Sequence, residues 1–509
     1  MFDPHSSNLR MAVVGTGVMG RGIAQIAAQS GIAVQLLDQQ PGAAERAKHA
    51  LAATWAQLQE KGRMSPEAVA QANACVSVAA ELQDLAGCDL VVEAIAENLE
   101  AKCALFAALE AVVAPHCVLA SNTSSLSIAA IAAACQQPQR VAGWHFFNPV
   151  PLMKIVEVVA AERTEASVVQ ALLALGTRCG HRAVLAKDSP GFIVNHAGRG
   201  YGTEALRLLG EAVAVPAVLD DVLRGQCGFK LGPFELFDLV GLDVSVPVME
   251  SIYRQYFDEP RYRPSPLAVQ RLHAGLLGRK SEQGFYPYRE GVAVKPEPTV
   301  FATRTPGPVW VSQRHPEWGQ ACVAWLEGLG AELDTAAHPG DAALCLVLPR
   351  GEDVTSAALA ESLDPARTVA LDWLVPQERC AAVFTNPLTR METVERAVAL
   401  LTPGSSAVRV LRDSAGLVAQ RVLATIVNIA CDMAQQGIAT PADIDAAVTL
   451  GLGYPRGPLA WGDALGPMTV LQILRHLWAH SGDPRYRPSP WLRRRAQLGM
   501  SLLQEELAL

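Results

Sequence analysis

The sequence lacks the features that would place its 509 residues in a membrane or in an oxidising compartment. Its uninterrupted apolar runs fall short of the roughly 18 residues that a membrane-spanning helix needs. The N-terminal segment MFDPHSSNLR has no apolar stretch typical of a signal peptide. The 11 cysteines are scattered, with no CxxC pair and no metal-ligand spacing, which indicates reduced thiols and no bound metal. We therefore expect a cytoplasmic protein that does not bind membranes.

Positive charge is also scarce. Lys and Arg number 42 against 50 Asp and Glu, so the net charge is −8 at pH 7. This balance gives no reason to expect a nucleic acid as a partner. Hydrophobic residues make up 50% of the chain and charged residues 18%, which is typical of a globular enzyme with large cores. The length allows about three or four domains.

The sequence does contain, near its N-terminus, a glycine-rich turn between two predicted strands. RMAVV (10–14) predicts a buried strand and AVQLLD (33–38) a second one, and the turn GTGVMG with a helical pattern lies between them. In such a βαβ unit the three glycines allow the tight turn, the approach of a pyrophosphate and close helix packing. The predicted dinucleotide-binding turn consists of Gly15, Gly17, Val18, Met19 and Gly20.

Asp38, at the end of the second strand, indicates which dinucleotide binds. A carboxylate at this position bonds both ribose hydroxyls and repels a 2′-phosphate. Gln39 follows it rather than an arginine. The pattern therefore predicts NAD rather than NADP as the cofactor. The alternative is a glycine-rich turn in another α/β fold.

Polar residues follow two further predicted strands, in the segments 89–102 and 117–128. Ligands of an open α/β sheet bind outside the carboxyl ends of its strands. The candidates at that rim are Glu97, Lys102, Asn122, Ser124 and Ser125. The alternative for the SNTSS motif is simple N-capping of a helix, and capping and binding can coexist.

A histidine among aromatic residues, His145 in VAGWHFFNPV, ends the next predicted strand (140–146). Glu157 lies within the apolar strand KIVEVVA (154–160), where a carboxylate is costly unless it is paired. Pairing with Glu157 would hold the imidazole in one tautomer. His145 could then take the proton of an alcohol as general base while hydride passes to NAD. The alternatives are a core histidine and a solvent-facing glutamate.

Six motifs over about residues 9–290 resemble, in order and spacing, those of the L-3-hydroxyacyl-CoA dehydrogenases: GTGVMGRGIA, VEAIAENLEAK, NTSS, GWHFFNP, MKIVEVV and KDSPGFIVN. The resemblance implies a Rossmann-type α/β domain followed by an all-α domain. It implies His145 as the catalytic base and Glu157 as its orienting partner. It also implies substrate contacts from Ser124, Asn148 and Asn195, and cofactor contacts from Glu97 and Lys102.

A duplication extends beyond the resembling region. PRYRPSP occurs at 260–266 and again at 484–490, and KDSPGFIV is answered by RDSAGLVA 225 positions later. This predicts two copies of a helical domain of about one hundred residues. The predicted domains are a Rossmann domain, a helical domain, an α/β segment and a second helical copy, at 1–187, 188–290, 291–411 and 412–509. In this family such helical domains commonly mediate dimerisation, which implies either a homodimer or an internal pseudo-dimer.

The second copy differs from the first where chemistry is expected. Gln420 stands where Asn195 does in the first copy, which indicates that the substrate-binding role is lost. The segment 291–411 alternates strand-like pieces, among them PVWVSQ, ALCLVLP and TVALDWLV, with helical ones, but has neither GxGxxG nor a comparable histidine. We interpret it as a degenerate remnant of the dinucleotide-binding domain, or as a spacer.

The two-copy layout resembles the long family members of phenylacetate degradation, which act on 3-hydroxyadipyl-CoA, whereas close relatives act on 3-hydroxybutyryl-CoA. The adipyl group ends in a carboxylate, which a guanidinium recognises well. Arg199 lies one helical turn after Asn195 and is the candidate, with a surface arginine as the alternative. Lys61 and Arg63 could bind the CoA phosphates, or they are solvated charges.

Other functions stay open at this point. A family relative that oxidises a hydroxyacid without CoA, such as gulonate, would share the cofactor motifs. An NAD-binding relative without activity is disfavoured because His145, Glu157, Ser124 and Asn195 are all present. A multifunctional fatty-acid oxidation chain is disfavoured because no hydratase-like segment precedes the motifs.

Overall fold

The computed structural model describes residues 2–506, which form two compact units. The first unit comprises the residues up to His196 together with Gln436–Leu452. The second comprises Ala197–Gln435 together with the residues from Gly453 onward. In the described range, no helix combines the length and hydropathy required to cross a bilayer.

The strands of the described chain, in order, are β1 Arg10–Val14, β2 Ala33–Leu37, β3 Val76–Val78, β4 Leu90–Glu93, β5 Val118–Ser121, β6 Val141–Phe146, β7 Ile155–Ala160, β8 Arg182–Lys187, β9 Tyr288–Arg289, β10 Val292–Ala293, β11 Val309–Val311, β12 Leu344–Val347, β13 Thr368–Leu371, β14 Ala381–Thr385 and β15 Val408–Arg412.

The α-helices of the same range are α1 Val18–Gln29, α2 Ala43–Glu60, α3 Pro66–Ala74, α4 Leu99–Val112, α5 Ile128–Ala132, α6 Ala166–Arg178, α7 Val194–Ala197, α8 Arg199–Gly210, α9 Pro216–Cys227, α10 Pro233–Val240, α11 Leu242–Gln255, α12 Pro266–His273, α13 Pro316–Gly328, α14 Val354–Ala360, α15 Met391–Leu401, α16 Ala419–Gln435, α17 Pro441–Leu452, α18 Pro458–Leu465, α19 Pro467–Ser481 and α20 Pro490–Leu498.

The first unit is built on a sheet with the order β3-β2-β1-β4-β5-β6-β7-β8. Neighbouring strands are parallel, except that β6 and β7 are antiparallel. The central strands, such as LVVE and VLAS, are buried along their whole length because helices cover both faces of the sheet. The carboxyl ends of the parallel strands therefore form the rim at which the predicted site residues should meet.

The second unit contains a smaller sheet with the order β11-β12-β13-β14-β15. Only the β13–β14 pair is antiparallel, which matches the β6–β7 pair of the first sheet. Strands β13, β14 and β15 end 225 residues after β6, β7 and β8 respectively. Ala370 and Ala382 lie 225 residues after His145 and Glu157 and occupy the equivalent positions of the second sheet. The topology therefore supports a remnant of the first sheet rather than a spacer, and the predicted boundary after residue 411 falls inside β15.

The two helical copies pack against each other within the second unit through the equivalent helices α8 and α16. Almost every residue of α16 is buried. A Cβ on Gly200 of α8 would lie 3.2 Å from the Cα of Ile426, so glycine permits the close approach of the two helices. The guanidinium of Arg421 donates to Glu204 and Glu211 of the first copy at 2.5 and 2.7 Å. The predicted fold class, with a Rossmann-type domain and duplicated helical domains, is confirmed.

Each unit also closes the edge of its sheet with a loop from the other repeat. In the first unit, the N–H of Lys187 at the end of β8 donates to the carbonyl oxygen of Ile438 at 2.9 Å. In the second unit, the N–H of Arg412 at the end of β15 donates to the carbonyl oxygen of Val213 at 3.0 Å. Both donors and both acceptors are related by the 225-residue offset. The exchange of segments between the repeats is therefore reciprocal.

Candidate active site

The glycine-rich turn joins β1 to α1, and its three glycines meet different steric demands. Gly15 has a φ of 94°, and a Cβ there would lie 2.5 Å from the backbone oxygen of Ala94. A Cβ on Gly20 would lie 1.8 Å from the backbone oxygen of Gly15, so the helix packs this closely only with glycine. Gly17 has no neighbour within 4 Å of its would-be Cβ, which leaves the backbone open to a pyrophosphate.

Asp38 follows β2 and is tied to this turn. One carboxylate oxygen accepts hydrogen bonds from the N–H and the hydroxyl of Thr16 at 2.7 and 2.8 Å, and the other accepts from the N–H of Gln40. Burial works against the charged form, but these hydrogen bonds outweigh it and hold the pKa of Asp38 below its usual value. Val18 is exposed beside the turn, whereas Met19 packs partly on the core.

His145 and Glu157 face each other because the antiparallel register of β6 and β7 pairs them directly. Nδ1 of His145 donates to Oε2 of Glu157 at 2.6 Å, and the two side chains are only 5% and 0% exposed. Oε1 of Glu157 accepts from the N–H groups of Ile193 and Val194 at 3.0 and 2.8 Å. The glutamate therefore fixes the imidazole ring and its tautomer, and Nε2 is the nitrogen that can exchange a proton.

Ser124 and Asn195 come together from the loop after β5 and from α7. Nδ2 of Asn195 donates to the carbonyl oxygen of Ser124 at 3.3 Å. Asn122, a predicted cofactor contact, uses Oδ1 to accept from the N–H of Phe146 at 2.9 Å and so holds the end of β6. Asn148 is exposed in the loop after β6.

Glu97 fastens the loop that carries Ser124. Its Oε1 accepts from the hydroxyl of Thr123 at 2.7 Å and from the N–H groups of Ser124 and Ser125 at 3.0 and 3.1 Å. This carboxylate is partly exposed at the rim. Glu97 can therefore face a ligand and hold the loop at the same time.

Lys102 does not reach the rim. Only 1% of its side chain is exposed, and its ammonium lies 2.5 Å from a Glu93 oxygen and 3.4 Å from a Glu97 oxygen. The cofactor contact of Lys102 stays a prediction, and in this structure the ammonium lies between two carboxylates. Sequence reasoning missed Glu93, although a carboxylate ending the apolar strand LVVE carries the same signal that pointed to Glu157.

The remaining predicted residues are Lys61, Arg63 and Arg199. Lys61 and Arg63 are exposed directly after α2. Arg199 begins α8 in the second unit and is partly buried there.

In the second copy, the position that corresponds to Asn195 is occupied by Gln420, which is inaccessible to solvent. Gln420 is fully buried, and its amide N–H groups donate to the carbonyl oxygen of Pro349 and to Asp372, both at 2.9 Å. Its side-chain oxygen accepts from the N–H of Gly351. Both amide hydrogens are thus used internally, and the loss of substrate binding at this position stays a prediction.

Comparisons with known proteins bear on this arrangement. Residues 10–189 match the family model of the 3-hydroxyacyl-CoA dehydrogenase NAD-binding domain, and 191–288 and 416–502 match that of the C-terminal domain. The 3-hydroxyadipyl-CoA dehydrogenase of Escherichia coli K12 is 38% identical over 491 residues, which are 96% of this chain and 97% of that protein. The chain belongs to the 3-hydroxyacyl-CoA dehydrogenase family.

Two further relatives show how the dehydrogenase is organised. A probable 3-hydroxybutyryl-CoA dehydrogenase of Bacillus subtilis is 40% identical over 281 residues, which are 55% of this chain and 98% of that protein. The crystal structure of 3-hydroxybutyryl-CoA dehydrogenase from E. coli K12 superposes with a TM-score of 0.86 at 35% identity, and covers 96% of this chain and 98% of that one. Relatives of nearly full length thus cover both helical copies, whereas the B. subtilis protein matches about half of this chain over nearly its whole length.

The predicted activity and cofactor are confirmed. The dehydrogenase oxidises a 3-hydroxyacyl-CoA to the 3-oxoacyl-CoA and uses NAD. The residues present fit that cofactor, because Gly17 leaves the turn open and Asp38 offers a charged acceptor for the ribose.

Proposed function

We propose that the preferred substrate is (3S)-3-hydroxyadipyl-CoA, oxidised in the cytoplasm during phenylacetate breakdown. The observation that carries the proposal is the near full-length similarity to a protein named for that substrate. The alternative is 3-hydroxybutyryl-CoA, for which a structural relative that covers 96% of this chain is named. The 11 free cysteines support a reducing compartment.

We assign the proton transfer to Nε2 of His145. This nitrogen takes the proton of the substrate's C3 hydroxyl, and in the reverse direction the imidazolium returns it to the forming alkoxide. When bound, NAD supplies the acceptor for the hydride that leaves C3. Glu157 supports the resulting positive charge through its bond to Nδ1.

Ser124 and Asn195 are proposed to bind the reacting oxygens of the substrate. A hydroxyl and an amide donate hydrogen bonds to a hydroxyl or thioester oxygen without adding a competing base. The contact between Asn195 and the Ser124 backbone keeps the two donors near each other. Asn148 is proposed to help shape the site, and Lys61 to contact the CoA phosphates.

Arg199 is the proposed partner of the distal adipyl carboxylate. Burial lowers the pKa of its guanidinium, and Tyr454 lies close enough to interact with it electrostatically. The Tyr454 hydroxyl is buried and, among residues 2–506, has no hydrogen-bond partner. A guanidinium and a hydroxyl at one place offer the donors that a carboxylate would accept.

The test compares NAD reduction with 3-hydroxyadipyl-CoA and L-3-hydroxybutyryl-CoA in the wild type and in Arg199→Ala. Because a hydrogen bond to a charged group contributes about 1.5–3 kcal/mol, we expect kcat/KM for the adipyl substrate to fall roughly 10- to 150-fold in the variant. Turnover of the butyryl substrate should change little. Arg199→Lys, which keeps the charge without the planar fork, should be intermediate.

Either of two results would refute this assignment. A wild type that prefers the butyryl substrate removes the adipyl proposal. Equal losses on both substrates in Arg199→Ala show that the arginine supports the fold instead of reading the carboxylate.

We also propose that the two helical copies form an internal pseudo-dimer. The equivalent helices α8 and α16 pack together, and the edge contacts at Lys187 and Arg412 are reciprocal, as a two-fold relation requires. The relative from B. subtilis matches 281 residues, which are 55% of this chain and 98% of that protein, so a chain of about half the length also occurs in the family.

The expected result is that the full chain sediments as a single polypeptide at micromolar concentration, with specific activity independent of dilution. The internal pairing already buries the faces that would otherwise join two chains. Sedimentation velocity and activity at several dilutions measure this. A stable dimer that loses activity on dissociation would contradict the proposal.

A further inference from the structure

Glu93 is a buried carboxylate for which the proposed mechanism has no role. It ends β4, and its side chain is 0% exposed. Oε1 accepts from the N–H of Ile95 at 2.7 Å and from the Lys102 ammonium at 2.5 Å, while Oε2 accepts from the hydroxyl of Ser121 at 2.6 Å. The carboxylate thus joins the carboxyl ends of two adjacent strands, β4 and β5, directly beneath the rim.

The ammonium of Lys102 connects this carboxylate to the surface. It lies 2.5 Å from Oε1 of Glu93 and 3.4 Å from Oε2 of Glu97. The other oxygen of Glu97 accepts the hydrogen bonds from the loop that carries Ser124. One oxygen of Glu97 therefore faces a buried cation, and the other faces a loop with a proposed substrate-binding hydroxyl.

The geometry points to Glu93 and Lys102 as positioning residues that act through Glu97 on the loop 123–125. The ammonium keeps Glu97 ionised and aimed at the two loop N–H groups, and Glu93 holds the ammonium in place. This inference rests on the proposed role of Ser124 and deepens it, since it identifies what fixes that side chain.

The charges around Glu97 set the expected sign of a pH effect. Burial raises the pKa of Glu97, but the hydrogen bonds from Thr123 and Ser125 and the charge of Lys102 outweigh it and hold the value below normal. Lys102 and, behind it, Glu93 are the ionisable groups that the structure places against this carboxylate. Without the ammonium, the pKa of Glu97 should rise, and acid should protonate the carboxylate and loosen the loop.

The test uses Lys102→Met in the reduction of a 3-oxoacyl-CoA by NADH. In this direction His145 acts in its protonated form, so acid does not remove the general acid. We expect the ratio of the variant's kcat/KM to that of the wild type to fall about tenfold from pH 8 to pH 5.5, because any effect of the shared general acid cancels in this ratio. Whichever 3-oxoacyl-CoA the wild type reduces can be used, so the outcome is independent of the acyl preference.

Three matched variants locate the cause. Lys102→Arg keeps the charge, and its kcat/KM relative to the wild type should stay constant over this pH range. Glu93→Gln combined with Lys102→Met removes both buried charges. It should lower kcat/KM at acid pH less than Lys102→Met alone. Lys48→Met, at an exposed position on α2, should behave as the wild type. The double variant leaves no unpaired buried charge and should therefore fold even if Lys102→Met does not. Its kcat/KM relative to the wild type must then still fall at acid pH.

Hydrogen exchange supplies a readout that does not depend on turnover. The N–H groups of Ser124 and Ser125, which donate to Glu97, should exchange faster at pH 6 in Lys102→Met than in the wild type after correction for intrinsic rates. A variant whose activity is lower by the same factor at every pH, with unchanged exchange at these amides, would overturn the inference. Glu93 and Lys102 would then serve the fold alone.

Discussion

Replacing His145 with glutamine is expected to lower kcat about 10³-fold, which corresponds to roughly 4 kcal/mol in the activation barrier. A glutamine amide can still donate to Glu157, so the buried carboxylate keeps a partner. It cannot, however, accept the proton of the substrate hydroxyl. The effect should therefore appear in kcat, while the KM for the acyl-CoA and the affinity for NAD stay close to those of the wild type.

Steady-state kinetics and a direct NAD-binding titration measure this separation. His116→Gln is the matched control, because His116 is 54% exposed and lies at the surface of the same unit. It should leave kcat unchanged. A loss in His145→Gln of less than tenfold would show that another group or water takes the proton.

The parts of the structure that the sequence predicted are those in which burial dictates residue type. Central strands such as β4 and β5 are apolar along their length because both faces are covered, and the sequence therefore marked their positions. The pairing of His145 with Glu157 was predictable from the cost of a buried carboxylate. The same cost applies to Glu93. Its partner could not be predicted, because Lys102 lies on a helix and its sequence motif indicates a cofactor contact.

Exposure and long-range contacts were not predictable from the sequence. A lysine near a binding rim is usually exposed, and only the structure shows that Lys102 is enclosed by two carboxylates. Strands β14 and β15 gave no distinct signal beside their apolar neighbours. The repeated PRYRPSP revealed the duplication, but not that Ile438 closes the sheet edge at Lys187, since residues far apart in the chain form this contact.

Replacing Glu157 with glutamine should be nearly as harmful as removing His145, although the change is isosteric. Oε1 of Glu157 faces two backbone N–H groups, from Ile193 and Val194, so the single oxygen of an amide should take that position. The NH2 group would then face Nδ1 of His145, which would have to accept a hydrogen bond instead of donating one. The ring proton would move to Nε2, and that nitrogen could no longer accept the proton of the substrate.

A carboxylate-to-amide change that imposes the wrong tautomer in the serine-protease triad lowers kcat about 10⁴-fold, and we expect a loss of about 10³- to 10⁴-fold here. Glu162→Gln is the control, because Glu162 is an exposed residue two positions after the end of β7. It should leave kcat unaltered. Because Glu157 acts only through His145, adding Glu157→Gln to His145→Gln should lower kcat little further. Losses that multiply in the double variant would show that Glu157 contributes independently of the imidazole.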